Sequence, residues 1–370
     1  MPFKNRILNT KICTFVLMKI HEKYIRRCLE LAKNGLGTTY PNPMVGSVIV
    51  HNDTIIGEGW HKKSGEPHAE VNAIHSVKDS SLLKKATIYV SLEPCSHFGK
   101  TPPCCDLIIK NQIPNVVIGT VDPNPKVAGK GIQKIIESGV NVTVGILEKE
   151  CFELNKRFFT FHQKKRPYII LKWAETQDGF MAPKNQINEK ESQIRQPIWI
   201  TNEISRQLVH KWRSEEQAIL VGTKTVINDN PKLNVRDWAG NNPIRIVLDK
   251  NNRIPKESHV FDNQTKTIVF TQNKIFDNSQ NTSFEELDFE INLASKIIES
   301  LYNQNIQSVI IEGGRQTLQT FIDENLWDEA KIFIGKNLFE NGTKAPLLDR
   351  TYSLKTTIAN DELLIIRNHD

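Results

Sequence analysis

Three residues of the kinds that bind zinc stand along the first half of the chain: His68, Cys95 and Cys104. If they bind one ion, three separate segments of the chain must meet at one point. One imidazole and two thiolates leave the fourth position of a tetrahedral zinc ion open for water, as a catalytic site requires. Glu70 follows the histidine on the same predicted helix and can lie beside that open position. The spacing therefore predicts one zinc ion in a compact α/β unit.

This pattern is close to the zinc-deaminase signature, in which His-x-Glu is followed by Pro-Cys-x-x-Cys. Here eight residues separate Cys95 from Cys104, so only the first half of the signature matches. Water bound to zinc has its pKa lowered toward ~7, which supplies hydroxide at neutral pH. Glu70 would carry the water's proton to the ring nitrogen and the leaving ammonia. We therefore expect hydrolytic removal of an amino group from a pyrimidine.

The residues alone leave alternatives open at this site. A structural zinc site would carry four protein ligands, and His97 is a possible fourth. Cys104 and Cys105 are adjacent, so the spacing does not decide which of them binds the metal. Their side chains point in different directions, so only one should face the ion, and the other would pack in the core.

Composition limits the class of partner. The chain has 370 residues, enough for two domains. Its 48 basic and 42 acidic residues are interleaved and give a formal charge of +6. This balance favours small phosphorylated ligands and is no nucleic-acid footprint. No apolar run approaches the ~18–20 residues of a membrane span, and clustered cysteines without a secretory signal favour metal binding over disulfides.

We therefore expect a cytoplasmic enzyme with no nucleic-acid partner and no membrane partner. Two other classes remain as alternatives. A deaminase of nucleic acid should bind RNA or DNA with a steep salt dependence. A zinc-stabilised interaction module should unfold without metal and release no ammonia.

Strand and helix patterns alternate through both halves, which indicates α/β architecture with a three-layer first unit. Strands are predicted at residues 45–50, 54–57, 86–92, 116–121, 142–146, 168–173, 218–222, 244–248, 267–271, 308–312, 331–334 and 363–367. Helices are predicted at residues 22–34, 68–77, near 103, 131–138, 205–213, 293–302 and 317–326.

The domain boundaries follow from this reading. The basic, aromatic segment 156–166 is interpreted as a linker, and the polar stretch 184–196 as a surface loop. Met18 begins a run typical of a natural protein start, so residues 1–17 are interpreted as a disordered or mis-started extension. The two domains are then residues 18–163 and 164–370.

The second half contains one suggestive turn. The predicted strand ending at Glu312 enters Gly313-Gly314 shortly before a helix. Backbone N–H groups at a helix start attract phosphate, although an ordinary tight turn explains a double glycine equally well. The Gly-x-Gly-x-x-Gly order of a Rossmann fingerprint is absent, so any dinucleotide must be held in another way.

Longer runs resemble one known family, the bifunctional deaminase/reductase of riboflavin biosynthesis. The matching segments are residues 41–46, 68–70, 91–104, 172–174, 178–179, 199–201, 221–226 and 229–231. That family has the long spacing between its cysteines, which favours Cys104 over Cys105 as the ligand. The resemblance implies a cytidine-deaminase-like first domain and a dihydrofolate-reductase-like second domain, with zinc and NADPH as cofactors. It also leads us to expect a homo-oligomer.

The resemblance implies roles for three deaminase residues. The substrate would be the diaminopyrimidinone ribosylamino phosphate, with Asn42 holding the pyrimidine. His97 and Lys100 would reach toward the base and the ribose phosphate. The alternatives are a turn residue between two prolines for Asn42 and a solvated surface lysine for Lys100.

In the second domain, NADPH would pass a hydride to the ribose C1′ of the aminouracil product, which opens the sugar to a ribityl chain. The substrate would contact Arg213, Leu233, Arg236 and Glu312, since two arginines suit a phosphate. The alternative role for Arg213, at a helix end, is a favourable interaction with the helix dipole. NADPH would lie against a second set of residues: Ala174, Trp199, Thr225, Asp229, Gly314, Arg315, Gln316, Thr317, Leu318, Gln319 and Thr320. Trp199 is interpreted equally well as a core residue.

The second domain departs from the family pattern at three places. Glu175-Thr176-Gln177 replaces a serine and an apolar residue, Pro197 stands where a polar substrate contact is usual, and Lys250 replaces a small polar neighbour of the cofactor. We expect these departures to affect affinity more than the type of reaction. No proton donor for the reduction is evident from the residues.

Overall fold

The computed structural model describes residues 3–98, 102–125, 127–184, 198–273 and 281–368, with side chains from residue 18 onward. It divides into two compact units, Met1–Lys165 and Arg166–Asp370. None of the helices in this part of the chain combines the length and the apolar character that a membrane span requires.

The first unit contains one sheet and six α-helices among its described residues. Its helices are α1 (Phe3–Ala32), α2 (Ala69–Ser76), α3 (Cys104–Lys110), α4 (Lys130–Glu137), α5 (Glu148–Leu154) and α6 (Lys156–Lys164). Its strands are β1 (Gly46–His51), β2 (Thr54–Trp60), β3 (Thr87–Leu92), β4 (Asn115–Thr120) and β5 (Asn141–Val144).

The five strands lie in the order β2-β1-β3-β4-β5. The first three are antiparallel, and β3, β4 and β5 are parallel. Alternate side chains point to opposite faces of a strand, and here both faces are apolar. Val48, Tyr89 and Val117 pack with α1 and α5, whereas Ile49 and Ile118 pack with α2, α3 and α4. The predicted three-layer arrangement is therefore confirmed.

The segment interpreted as a linker is a helix, so that interpretation was wrong. In α6 the rings of Phe158, Phe159 and Phe161 are buried, and the first two pack against Leu92 at the end of β3. Burial of aromatic side chains explains the composition better than a mobile connection does. The helix α5 was also missed. The helix α1 begins at Phe3, and the status of residues 1–17 as an extension stays a prediction.

The second unit has a larger sheet. Its helices are α7 (Glu203–Glu215), α8 (Thr223–Asp229), α9 (Leu293–Asn303) and α10 (Arg315–Asp323). Its strands are β6 (Tyr168–Thr176), β7 (Phe180–Pro183), β8 (Ala218–Gly222), β9 (Ile244–Leu248), β10 (Thr267–Thr271), β11 (Thr282–Glu286), β12 (Ser308–Ile311), β13 (Glu329–Gly335), β14 (Gly342–Lys344), β15 (Leu354–Ile358) and β16 (Asp361–Arg367).

Nine of these strands form one sheet in the order β11-β10-β9-β8-β12-β6-β13-β16-β15. Its pairs are parallel from β11 to β13, and β16 is antiparallel to both of its neighbours. Helices α9 and α10 cover one face, and α7 and α8 cover the other. A mainly parallel sheet buried on both faces reads as apolar runs, which is why β8, β9 and β10 were predictable.

The missed elements of this unit are short or weakly apolar: β7, α8, β11, β14 and β15. Most of the polar stretch 184–196 lies outside the described residues, so its interpretation as a loop stays a prediction. The carboxyl ends of β8, β12 and β6 lie side by side in the sheet, and open α/β sheets bind ligands at such an edge.

Candidate active sites

His68 and Cys104 are 36 residues apart in the sequence. The fold of the first unit brings them together with Cys95 in one cluster. His68 Nδ1 lies 3.5 Å from Cys95 Sγ and 3.4 Å from Cys104 Sγ. These ligand atoms all lie within 4.8 Å of one another. A nitrogen and two sulfur atoms at such separations suit the bond lengths of a tetrahedral zinc ion, about 2.0–2.3 Å. The donor set therefore fits zinc.

Each ligand is carried by the end of a secondary structure element. His68 is the N-cap of α2, Cys95 follows the end of β3, and Cys104 is the first residue of α3. The backbone N–H of Cys104 donates to Cys95 Sγ at 3.3 Å. The contact with Cys104 lowers the pKa of the Cys95 thiol, whereas the same contact and burial raise the pKa of Cys104.

Glu70 stands next to this cluster on the first turn of α2 and is 3% exposed. Burial, and then the charge of Cys95, raise the pKa of its carboxyl group to about 7. Cys104 lowers this pKa slightly, and Glu70 in turn raises the pKa of Cys104. A carboxyl group with such a pKa can both accept and donate a proton near neutral pH.

The two neighbouring cysteines point to different places. Cys104 faces the cluster, whereas Cys105 packs among the apolar residues between the sheet and α2, α3 and α4. Burial raises the pKa of the Cys105 thiol to about 11, so it is a poor metal ligand. His97 is exposed and is not part of the cluster, and Lys100 lies outside the described residues.

Asn42 is tied to the cluster through a histidine that the sequence did not reveal. Asn42 Nδ2 donates to Nε2 of His61 at 3.1 Å, and His61 Nδ1 donates to the carbonyl of Pro67 at 3.2 Å. The His61 ring also packs edge-on against His68, with 5.3 Å between ring centroids. Burial lowers the pKa of His61, which keeps the ring neutral as these bonds require.

The loop that carries Asn42 is held from a distant part of the chain. The side chain of Asn155 accepts from Met44 N–H and donates to the Met44 carbonyl, both at 2.8 Å. Asn155 is buried between α5 and α6. Two hydrogen bonds to the backbone of one residue fix the position of the loop, and no local pattern indicates a contact of this kind.

Glu93 braces the loop that carries Cys95. Its buried carboxylate accepts from Gly129 N–H at 2.9 Å and Gly131 N–H at 3.0 Å, and more weakly from Asp122 and Ile132. A Cβ atom on Gly131 would lie 2.1 Å from the carbonyl oxygen of Pro94, so only glycine allows this approach. The start of α4 and the Glu93-Pro94-Cys95 segment are therefore locked together.

A buried ion pair marks the second unit. Arg213 on α7 donates to both carboxylate oxygens of Glu312 at 2.8 and 2.7 Å, and Lys172 Nζ lies 3.6 Å from the same carboxylate. Burial opposes the charge on Glu312, but Arg213 and Lys172 outweigh it and hold its pKa at about 2. Arg213 also lies in the last turn of α7, so the dipole role and the pairing role coexist.

The 230–237 loop brings Leu233 and Arg236 near this pair. Leu233 is buried with φ of 50°, a left-handed conformation that is rare for leucine. Arg213 donates to the carbonyl of Asn234 at 3.2 Å. Arg236 is partly exposed, and burial together with the charges of Arg213 and Arg236 lowers the pKa of His210 to about 4.

The residues expected to hold NADPH lie on or just after three adjacent strands. Ala174 lies on β6, Thr225 and Asp229 on α8 after β8, and Gly314 begins the turn after β12. Gly314 has φ of 64°, and no side chain caps the start of α10. Uncapped N–H groups at a helix start suit a phosphate group of a dinucleotide. The turn therefore fits the cofactor.

Other members of that set have structural contacts of their own. Leu318 is fully buried in the core, and Gln319 exchanges hydrogen bonds with the backbone of Leu347. The hydroxyl of Thr320 donates to the Gln316 carbonyl, and Arg315 and Gln316 are exposed while Thr317 is buried. Trp199 is 51% exposed with the Arg206 guanidinium over its ring, so its interpretation as a core residue was wrong.

Two of the three departures from the family pattern have a structural explanation. Glu175 is buried and accepts two hydrogen bonds from Arg350, at 2.6 and 3.0 Å. Lys250 is partly exposed and pairs with Glu290 at 2.6 Å. Pro197 lies outside the described residues.

Comparison with known proteins identifies the same two parts. Residues 18–120 match the family model of the cytidine and deoxycytidylate deaminase zinc-binding region, and residues 167–348 match that of the RibD C-terminal domain. The riboflavin biosynthesis protein RibD of Aquifex aeolicus is 39% identical over 334 residues, which cover 88% of this chain and 90% of that protein. RibD of Escherichia coli is 35% identical, over 86% of this chain and 88% of that protein.

Solved structures agree. One is a diaminohydroxyphosphoribosylaminopyrimidine deaminase/5-amino-6-(5-phosphoribosylamino)uracil reductase from Thermotoga maritima. It is 36% identical with a TM-score of 0.84, and the match covers 95% of this chain and 99% of that one. A structure of Acinetobacter baumannii RibD is 32% identical, with a TM-score of 0.82 and coverage of 95% and 100%.

Fold and sites together define a zinc-dependent deaminase joined to an NADPH-dependent reductase. The chain belongs to the RibD family of bifunctional enzymes of riboflavin biosynthesis. The expectations about fold class, the two activities and the two cofactors are thereby confirmed.

Proposed function

We propose that His68, Cys95 and Cys104 bind the zinc ion and that Glu70 is the general acid and base of the deamination. The supporting observation is the three-atom cluster of one nitrogen and two sulfurs beside a buried carboxyl group. Zinc bound there would activate a water molecule at neutral pH. Deaminase and reductase activities are assigned to the first and second units, with the domain ranges given above.

The proposed substrate is diaminohydroxyphosphoribosylaminopyrimidine, a small phosphorylated pyrimidine. Glu70 accepts one proton from the attacking water and gives it to the ring nitrogen. It then takes the proton of the new C–OH group and gives it to the amino group, so that C=O forms, the C–N bond breaks and ammonia leaves. Asn42, oriented by His61, is proposed to bind the pyrimidine. His97 and Lys100 are proposed to contact the base and the ribose phosphate.

Two pairs of variants test this assignment. Glu70→Gln should retain zinc and lose ammonia release, because the amide keeps the shape and cannot carry the proton. Cys104→Ser should lose zinc, while Cys105→Ser, its adjacent and equally buried control, should keep both zinc and activity. Metal content by atomic absorption and ammonia release with the pyrimidine substrate are the measurements. Full activity in Glu70→Gln, or equal zinc in Cys104→Ser and wild type, would refute the roles.

For the reductase, we propose that NADPH binds at the carboxyl edge of β6, β8 and β12, against the residue set named for it above. NADPH supplies a hydride to C1′ of 5-amino-6-(5-phosphoribosylamino)uracil. Leu233 is proposed to contact the substrate, Arg213 and Arg236 to face its anionic group, and Glu312 to hold Arg213 in place. Ala174→Trp should block NADPH binding at this edge, as measured by titration of protein fluorescence, and leave ammonia release unchanged.

We also propose a reducing compartment, the cytoplasm, because Cys95 and Cys104 must remain free thiols to bind zinc. The absence of nucleic-acid and membrane partners follows from the interleaved charge, and a homo-oligomer follows from the family resemblance. Light scattering of the purified protein tests the oligomer. A tRNA binding assay across a range of salt concentrations tests the exclusion of nucleic acid.

A further inference from the structure

The reductase unit contains a buried histidine to which neither activity assigns a role. His210 lies on α7, one turn before Arg213, and is 3% exposed. Residues three apart on a helix share a face, so the two side chains face the same loop. A buried histidine costs free energy unless its ring nitrogens find partners. Its partners therefore indicate what it holds.

Both nitrogens of the ring contact the 230–237 loop. Nδ1 lies 3.0 Å from the carbonyl oxygen of Asn234, and Nε2 lies 3.1 Å from Oδ2 of Asp237. These two residues flank Arg236, whose guanidinium Nε is 3.4 Å from the same carboxylate oxygen of Asp237. Because burial lowers the pKa of His210 to about 4, the neutral ring has one N–H and donates it to one of these two oxygens, so it holds the loop beside the arginine.

The loop does not hold this shape through its own contacts. Leu233 has φ of 50°, in the left-handed region, which is rare for leucine. The side-chain oxygen of Asn234 is buried without a hydrogen-bond partner. Such features cost about 1–3 kcal/mol each and persist only where the surroundings impose them. On α7, His210 and Arg213 hold the loop in this shape, because both side chains contact the carbonyl oxygen of Asn234.

We propose that His210 is a positioning residue of the reductase, which fixes the 230–237 loop so that Arg236 faces the anionic group of the substrate. The inference rests on the proposed contact of Arg236 with that group. His210 itself touches no reacting atom, so its loss should weaken substrate binding and leave the hydride step nearly unchanged. The substrate site would then include α7 as well as Arg236, because residues of this helix orient the arginine side chain.

The test measures reductase KM and kcat of the full-length zinc-loaded enzyme, with NADPH oxidation as readout and the deaminated product as substrate. His210→Phe keeps an aromatic ring, somewhat larger than imidazole, and removes both nitrogens. We expect KM to rise about tenfold with kcat changed less than about twofold, since one buried hydrogen-bonded anchor is lost. Asp237→Asn, at a half-exposed position that does not threaten folding, should raise KM in the same direction. Gln207→Ala, at an exposed position of α7, is the control and should leave both constants unchanged.

Arg236→Ala and the double variant with His210→Phe separate a positioning role from a structural one. If His210 acts through Arg236, KM of the double variant stays close to that of Arg236→Ala alone. A further tenfold rise in the double variant, or wild-type KM in both His210→Phe and Asp237→Asn, would overturn the inference. An unchanged KM in Arg236→Ala would instead overturn the proposed substrate contact on which the inference rests.

Discussion

Replacing Glu93 by glutamine should damage the zinc site although Glu93 is not a ligand. Its carboxylate accepts four backbone hydrogen bonds, from Asp122, Gly129, Gly131 and Ile132, at 2.9 to 3.3 Å. The glutamine side chain has only one oxygen that can accept hydrogen bonds. The two backbone N–H groups that now bond the second carboxylate oxygen would face the glutamine NH2 group, which is itself a donor. Hydrogen bonds to a charged group contribute about 1.5–3 kcal/mol each, which makes the expected loss about 3–6 kcal/mol.

That loss is a large share of the ~5–15 kcal/mol that keeps a domain folded. Because the next residues are Pro94 and Cys95, loosening the segment also frees a zinc ligand. Changes behind a ligand typically lower metal affinity about 10–100-fold. We expect Glu93→Gln to lose zinc to a competing chelator at correspondingly lower chelator concentration, and to unfold at lower urea concentration.

The assays are chelator competition and urea unfolding of the zinc-loaded protein followed by circular dichroism. Glu150→Gln is the control, because Glu150 is half-exposed on α5 and pairs only weakly with Arg26, at 3.9 Å. Exposed pairs of this kind contribute about 0–1 kcal/mol. If Glu93→Gln matched Glu150→Gln in both assays, the bracing role of the carboxylate would be wrong.

Three further predictions concern the two units. Asn155→Asp should lower deaminase turnover and spare the reductase, because a carboxylate repels the Met44 carbonyl; ammonia release and NADPH oxidation by one preparation measure both, and equal losses would contradict it. Gly131→Ala should cost about 1–3 kcal/mol by overpacking against Pro94, as urea unfolding checks. The pKa of Glu312 is about 2 in the folded protein against 4.5 in the unfolded chain. The ionised carboxylate therefore stabilises the fold by about 3 kcal/mol above pH 4.5, and this stabilisation is lost as the pH falls toward 2. A Glu312→Gln variant should lack this acid-sensitive part of the free energy of unfolding.

Some features were predictable because neighbouring residues determine them. The strands at residues 218–222, 244–248 and 267–271 have the predicted bounds, since each is an apolar run ended by a turn or a charge. The zinc cluster was predictable because the ligand types are rare and their spacing is distinctive. The hairpin of β1 and β2 was predictable from its Asn-Asp turn.

Other features depend on partners far along the chain. Asn155 and Met44 are 111 residues apart, and Glu93 and Gly129 are 36 apart. His61 and His210 look like ordinary histidines until folding brings Asn42 and the 230–237 loop to them. The helix α6 was mistaken for a connection because its aromatic and basic residues have the composition of a linker, and only burial against β3 separates the two readings.

The helix α6 has a practical consequence for anyone who separates the two activities. A deaminase fragment that stops at Asn155 would lack Phe158 and Phe159, leaving bare the apolar end of β3 just before Cys95. Such a fragment should aggregate and bind zinc poorly even though its catalytic residues are unchanged. Fragments that end after Lys165 keep this cover, so failure of a shorter one would say nothing about dependence on the reductase.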